Sequence, residues 1–190
     1  MNILKINREA SIVIPVDSPK TANIYDTLKP LENILDPDET MILGSAAAFL
    51  YGVELDPYDP VRGVPIERPS DLDLASTAVQ MERVFRQGLA TPKDTHSRAQ
   101  TILKLNKLST PMSVDLITRF RDGRDNMLAF DRRFRERLHE SSRSLEGSPF
   151  RIASPDLLFA ELRTNRDDPK INQDLNSFNK RFPTRRSRTS

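Results

Sequence analysis

The chain of 190 residues contains no cysteine, so disulfide cross-links and thiolate-bound zinc are both excluded. Its two histidines, His96 and His139, have no metal-ligand spacing between them and read as surface or packing residues. No apolar run approaches the ~20 residues that a membrane-spanning helix needs. No secretory signal opens the chain, so a cytoplasmic protein with no membrane partner is expected. Charge of one sign is also scarce in the balance: the net charge is +2 despite a pI near 9.0, which is no argument for nucleic-acid binding. Hydrophobic residues make up 37% and charged residues 29%. That is polar for a globular protein, yet the apolar residues cluster enough to build a core. The length suits one domain over 1–180, followed by a basic, disordered tail over 181–190.

Taken in order, Ala10 to Val16 is a plausible strand, ended by proline. Thr21 to Leu35 carries Ile24, Leu28, Leu31 and Leu35 on one stripe and predicts a helix, with a kink or a division at Pro30. Thr40 to Leu43, which holds the apolar run Ile42-Leu43, predicts a strand. The segment from Glu54 to Glu67 holds several prolines and a glycine and predicts a long loop, either a lid or substrate contact or else disordered. Ala78 to Leu89 predicts a helix that buries Met81, Val84, Phe85 and Leu89. Thr91 to Ser97 reads as loop. Gln100 to Leu105 and Met112 to Thr118 predict an antiparallel hairpin. Asp122-Gly123 marks a turn, and Met127 to His139 reads as an amphipathic helix with a basic face over 132–137. Phe150 to Ala153 is a short strand, Ser154-Pro155 opens a helix, and a last helix is expected from Asn172 to Asn179.

Two stretches carry chemistry. Gly44-Ser45 turns the chain between the Thr40–Leu43 strand and an Ala-rich helix. Glycine there lets the backbone approach a ligand. Serine there can cap the helix and, with the free N–H groups of its first turn, hold a phosphate. In Asp71-Leu72-Asp73-Leu74 the acids alternate with leucines, so a strand aims both carboxylates at one face. Two close acids repel unless a cation lies between them, and hard oxygen ligands point to Mg²⁺. Taken singly, each motif has a bland reading: an ordinary strand-to-helix turn, and a solvated strand face. Asp115, within Ser113-Val114-Asp115-Leu116-Ile117, reads equally as an edge-strand acid or as a third ligand. Arg68 is more readily a surface salt bridge than a catalytic group.

Gly44-Ser45, a helix, then Arg68-Pro69-Ser70-Asp71-Leu72-Asp73-Leu74 resembles the minimal nucleotidyltransferases with the DNA polymerase β-like fold, a branch that includes toxin, antitoxin and abortive-infection proteins. The resemblance covers roughly 40–175. It implies an α/β (α+β) fold: a mixed sheet flanked by helices, with a small C-terminal helical extension. It implies catalytic, metal-binding acids at Asp71, Asp73 and Asp115, and nucleotide-binding residues at Gly44, Ser45 and Arg68. It implies two Mg²⁺ ions and transfer of NMP from an NTP to a hydroxyl of RNA, protein or a small molecule such as an antibiotic. Ile152 to Leu158, Arg166, and Lys170 to Asp174 are similar to the family's closing segment. One departure stands out: where many relatives carry a lysine facing the nucleotide, this chain has Glu161. That departure keeps open a non-catalytic protein of the same fold that binds a nucleotide or a partner, and leaves Arg163 or Lys170 to supply the missing cation.

Overall fold

A computed structural model describes residues 12–92, 102–106, 108–117, 119–121, 127–129, 138, 140–164 and 167–183. The strands are β1 (Ile12–Val13), β2 (Thr40–Leu43), β3 (Asp71–Ser76), β4 (Ala90–Pro92), β5 (Ile102–Leu105), β6 (Ser113–Ile117), β7 (Arg119–Arg121), β8 (Met127–Ala129), β9 (Ser142–Leu145) and β10 (Arg151–Ala153). The helices are α1 (Pro19–Leu31), α2 (Gly44–Leu50), α3 (Ala78–Arg86), α4 (Pro155–Thr164) and α5 (Pro169–Arg181). Eight strands form one mixed sheet in the order β1-β9-β10-β2-β3-β6-β5-β4, while β7 and β8 pair separately. The protein is therefore a mixed α/β structure. Among the described residues no helix is long and apolar enough to cross a membrane.

The centre of the sheet is built from the apolar strands. All of β2 is buried, and Leu72 and Leu74 of β3 have no solvent exposure. Val114 and Leu116 of β6 join the same core, opposite Leu105 and Leu103 of β5. Around this core α1 begins at Ser18, whose hydroxyl accepts from the Thr21 amide at 3.1 Å, with Pro19 supplying a preset φ at the first turn. The helix ends at Leu31, one residue past Pro30, and the Glu32 amide closes it on the Lys29 carbonyl. It is one helix rather than two, and Leu35 is buried in the turn beyond it. Gln80 of α3 ties strands together, donating to Thr40 Oγ1 at 2.6 Å and Ser76 Oγ at 2.7 Å.

Several expectations need correction. Phe85 is 49% exposed: the buried face of α3 is made by Gln80, Met81 and Val84, and the helix ends at Arg86. Thr91 is not loop but part of the edge strand β4. Met127–Ala129, read as the start of a helix, is a strand paired with Arg119–Arg121. A tertiary pairing overrides the helical periodicity there. Ser142–Leu145 was not expected to be a strand and lies inside the sheet between β1 and β10. The expected tail also starts too early. Arg181 is the last residue of α5, and Phe182 is buried with its ring 4.9 Å from that of Phe178. Residues 184–190, the basic face at 132–137, the Asp122-Gly123 turn, His96, His139 and Arg166 lie outside the described residues.

The loop between Glu54 and Glu67 has its own order. Asp59 accepts from the amides of Val61 and Arg62 at 2.8 and 3.0 Å, and Tyr58 and Pro65 form an isolated bridge. It is anchored at its base by Val53 and Leu55, which pack on the core, while Tyr58, Val61 and Val64 are exposed.

Candidate metal centre and adjoining cavity

The acids come together through strand register. β3 and β6 run parallel with Asp73 beside Asp115 and Asp71 beside Ser113. Period-two alternation then sends Asp71, Asp73 and Asp115 to one face and the leucines to the other. Each of the three offers a carboxylate oxygen, and these oxygens lie within 4.8 Å of one another. Asp71 and Asp73 are half-buried, and Asp115 is buried. The donor set is oxygen only, which suits a hard divalent cation and not a thiophilic metal.

Gly44 holds the backbone close to this cluster. β2 pairs antiparallel with β3, placing Leu43 opposite Asp73, so the next residue turns directly above the acid. Gly44 has φ +63, and a Cβ added there would meet Asp73 Oδ2 at 2.5 Å. Both the backbone conformation and the space require glycine. Ser45 does not act as the expected cap. The cap position of α2 is Leu43, with no side-chain hydrogen bond to the helix, and Ser45 is the second helical residue.

A cavity of about 260 Å³ opens beside the acids, lined by Gly44, Ser45, Arg68, Asp71, Asp73 and residues of α4 and α5. Arg68 is not on the surface. It is 3% exposed and forms an ion pair with Asp174 of α5, not with Asp71. Its carbonyl accepts from Lys20 Nζ at 2.6 Å. Among the described residues its Nη1, which is buried, has no hydrogen-bond partner, and neither has Asp174 Oδ1. Lys170 also lines the cavity, whereas Arg163 is exposed and does not. The roles of Asp168 and Asp174 escaped sequence reading. Asp168 caps α5 by accepting from the Lys170 and Ile171 amides at 2.8 and 3.3 Å, ahead of Pro169 at the first turn. That Asp-Pro pair was the available signal for a helix starting before Asn172. In the sequence Asp174 stood only as the end of the family-like stretch from Lys170, and nothing local there shows that it reaches Arg68, 106 positions away.

Glu161 of α4 faces the same cavity. Burial, reinforced by the Asp73 charge, pushes its carboxyl up to about 8, so at neutral pH the metal-free protein holds it largely protonated. Its folded value lies above the unfolded one near 4.5, so the folded state binds the extra proton between them. Stability from this group is therefore present at low pH and declines as pH rises from the unfolded value through about 8. Glu161→Gln should melt with the wild type at pH 5 in chelator. Its relative melting temperature should rise steadily to pH 8 and then level off. A difference independent of pH would show that the carboxyl is not held protonated.

Comparison with family models, with curated proteins and with solved structures finds no match to this chain.

Proposed function

We propose that the chain is a divalent-cation-dependent nucleotidyltransferase of the polymerase β-like fold, moving NMP from an NTP to a hydroxyl acceptor and releasing pyrophosphate. The carrying observation is the convergence of Asp71, Asp73 and Asp115 within 4.8 Å beside a cavity that holds Arg68 and Lys170. Asp71, Asp73 and Asp115 would hold Mg²⁺. When bound, Mg²⁺ supplies positive charge to the attacking and leaving oxygens of an in-line displacement.

The chain's own groups do the rest. The NTP enters the cavity, where Gly44 offers close backbone approach and the Ser45 hydroxyl a hydrogen bond. Lys170 and Arg68, which line the cavity, would serve the phosphates as donors. Lys170 thus occupies the role of the cation expected where Glu161 stands. Asp115 does not line this cavity. It meets the acceptor from the outer side, orients its hydroxyl and takes its proton.

The second reading, a nucleotide- or partner-binding protein without transfer, is favoured by one observation: a carboxyl, Glu161, replaces the expected lysine at the cavity wall. The two readings part in one experiment. Purified protein is incubated with each labelled NTP and Mg²⁺, together with total RNA, protein lysate or small-molecule pools. Label should pass from the α-phosphate to one acceptor class with wild type and not with Asp73→Asn. Saturable NTP binding with no label transferred under any combination would replace the enzyme with the binder.

A further inference from the structure

Glu161 is set on the cavity wall by its helix. Leu157 and Leu158 of α4 are buried, and Glu161 follows them at i+4 and i+3, on the same inward face. α4 packs against α2, the helix that Gly44 and Ser45 open. That docking brings Glu161 to the side of Asp73, whose charge is felt at its carboxyl. Glu161, Asp71 and Asp73 line one cavity. Glu161 is not among the acids whose oxygens converge within 4.8 Å, and Asp115, which is, does not line the cavity. Asp71 and Asp73 therefore belong to two sets: one with Asp115 on the sheet, the other with Glu161 around the cavity. The charge of the wall is lopsided. Five of the residues lining the cavity are acidic, and two, Arg68 and Lys170, are basic. Arg68 is already paired with Asp174, which leaves Lys170 against Asp71, Asp73, Glu161 and Asp168.

A second observation, independent of those four acids, points the same way. Asp174 lines the cavity, is 6% exposed, and keeps its Oδ1 buried with no hydrogen-bond partner among the described residues. A buried acceptor left unanswered marks a missing donor. We infer that the cavity holds a divalent cation of its own, with Glu161 as its particular ligand and Asp73 shared with the three-acid cluster. The donors are all oxygen, which suits a hard ion such as Mg²⁺. Mg²⁺ keeps several of its waters on a protein, and those waters donate hydrogen bonds, which supplies what Asp174 Oδ1 lacks. The ion is held by protein carboxylates, so it binds without any nucleotide and in addition to the ion on Asp71, Asp73 and Asp115. A divalent ion on one ionised carboxylate leaves net positive charge at that point of the wall. With the ion in place Glu161 no longer opposes a phosphate, and the cavity accepts an anion that its bare wall would repel. The inference rests on the metal-binding half of the proposed function and not on transfer.

The test is a Mn²⁺ titration of the full chain without nucleotide, read by electron paramagnetic resonance after treatment with chelator. Wild type should bind two ions, and the carboxylate they share should couple their spins at full loading. Glu161→Gln keeps the size of the side chain and removes its charge. It should bind one ion as wild type does, weaken the second by about 100-fold, the upper end of what even an outer-shell change costs, and lose the spin coupling. Asp115→Asn should weaken the other ion and leave the one at Glu161. Glu161→Asp, still a carboxylate, should recover part of the second ion. Melting in chelator reports separately that each variant is folded. A single ion in wild type, or two coupled ions in Glu161→Gln, would overturn the inference and leave the transferase reading standing. No ion in wild type would overturn both. Two coupled ions that depend on Glu161, with no label transferred to any acceptor, would uphold the site and remove the transferase.

Discussion

Asp115→Asn should lower transfer by roughly 10²–10⁴-fold, the usual contribution of a positioned general base, while NTP affinity stays close to that of wild type. The substitution keeps the shape and removes the charge. Asp71 and Asp73 line the cavity and Asp115 does not, so nucleotide binding leans on the first two. Asp115 acts on the acceptor, and its loss is felt in the transition state more than in the ground state. A labelling assay and a nucleotide titration on the same two proteins read the two quantities separately. The variant should also fold. Asp115 is buried, but its neighbours Val114 and Leu116 carry the packing of β6 on the opposite face. Transfer at the wild-type rate would remove Asp115 from the reaction.

Gly44→Ala should be strongly damaging for a change of one methyl group. Forcing an L-residue into φ +63 costs about 1–2 kcal/mol. The new Cβ would also lie 2.5 Å from Asp73 Oδ2, so the carboxylate or the turn must move. Overpacking of this kind adds about 1–3 kcal/mol. For a chain of this size each kcal/mol lowers the melting temperature by about 2–4 °C. Asp73 would be displaced from Asp71 and Asp115, so Mn²⁺ affinity should fall in parallel. Thermal melts in chelator and a Mn²⁺ titration measure the two effects. A variant that melts with wild type and binds Mn²⁺ equally would show that Asp73 can turn aside freely, and that the close approach is not what orders the acids.

The parts of this molecule that are legible in its sequence share a physical cause. Thr40–Leu43 is short, ends in the apolar run Met41-Ile42-Leu43 and is bounded by a turn, which suits a buried strand. Asp71 to Leu74 alternates strictly, so a strand there had to put both acids on one face. Ser154-Pro155 announces α4, and the Ser154 hydroxyl does accept from the Leu157 amide at 3.3 Å. Where sequence reading failed, partners distant along the chain decided. Ser142-Arg143-Ser144-Leu145 looks unlike an interior strand. It becomes one because β1, far earlier in the chain, and β10 pair with it on either side, and the Ser142 hydroxyl accepts from Arg151 Nε at 2.6 Å. Burying such groups is tolerable only when they are hydrogen-bonded.

The sequence by itself determined which residue types were available for chemistry: oxygen ligands and no thiols, a glycine ahead of a helix, and acids in strand alternation. It also determined the parity that puts Asp71 and Asp73 on one face, because side-chain direction along a strand is a local property of the backbone. Tertiary structure decided everything that depends on which strand lies beside which. The parallel register of β3 and β6 brings Asp115 next to Asp73, and the antiparallel register of β5 sets Lys104 beyond it. α5 buries Arg68 by supplying Asp174 and carries Lys170 to the cavity. Neither register nor helix docking is written in any local window. Both are set by the burial of apolar faces over the whole sheet, and a register shift of one residue would turn Asp115 or Lys104 to the other face.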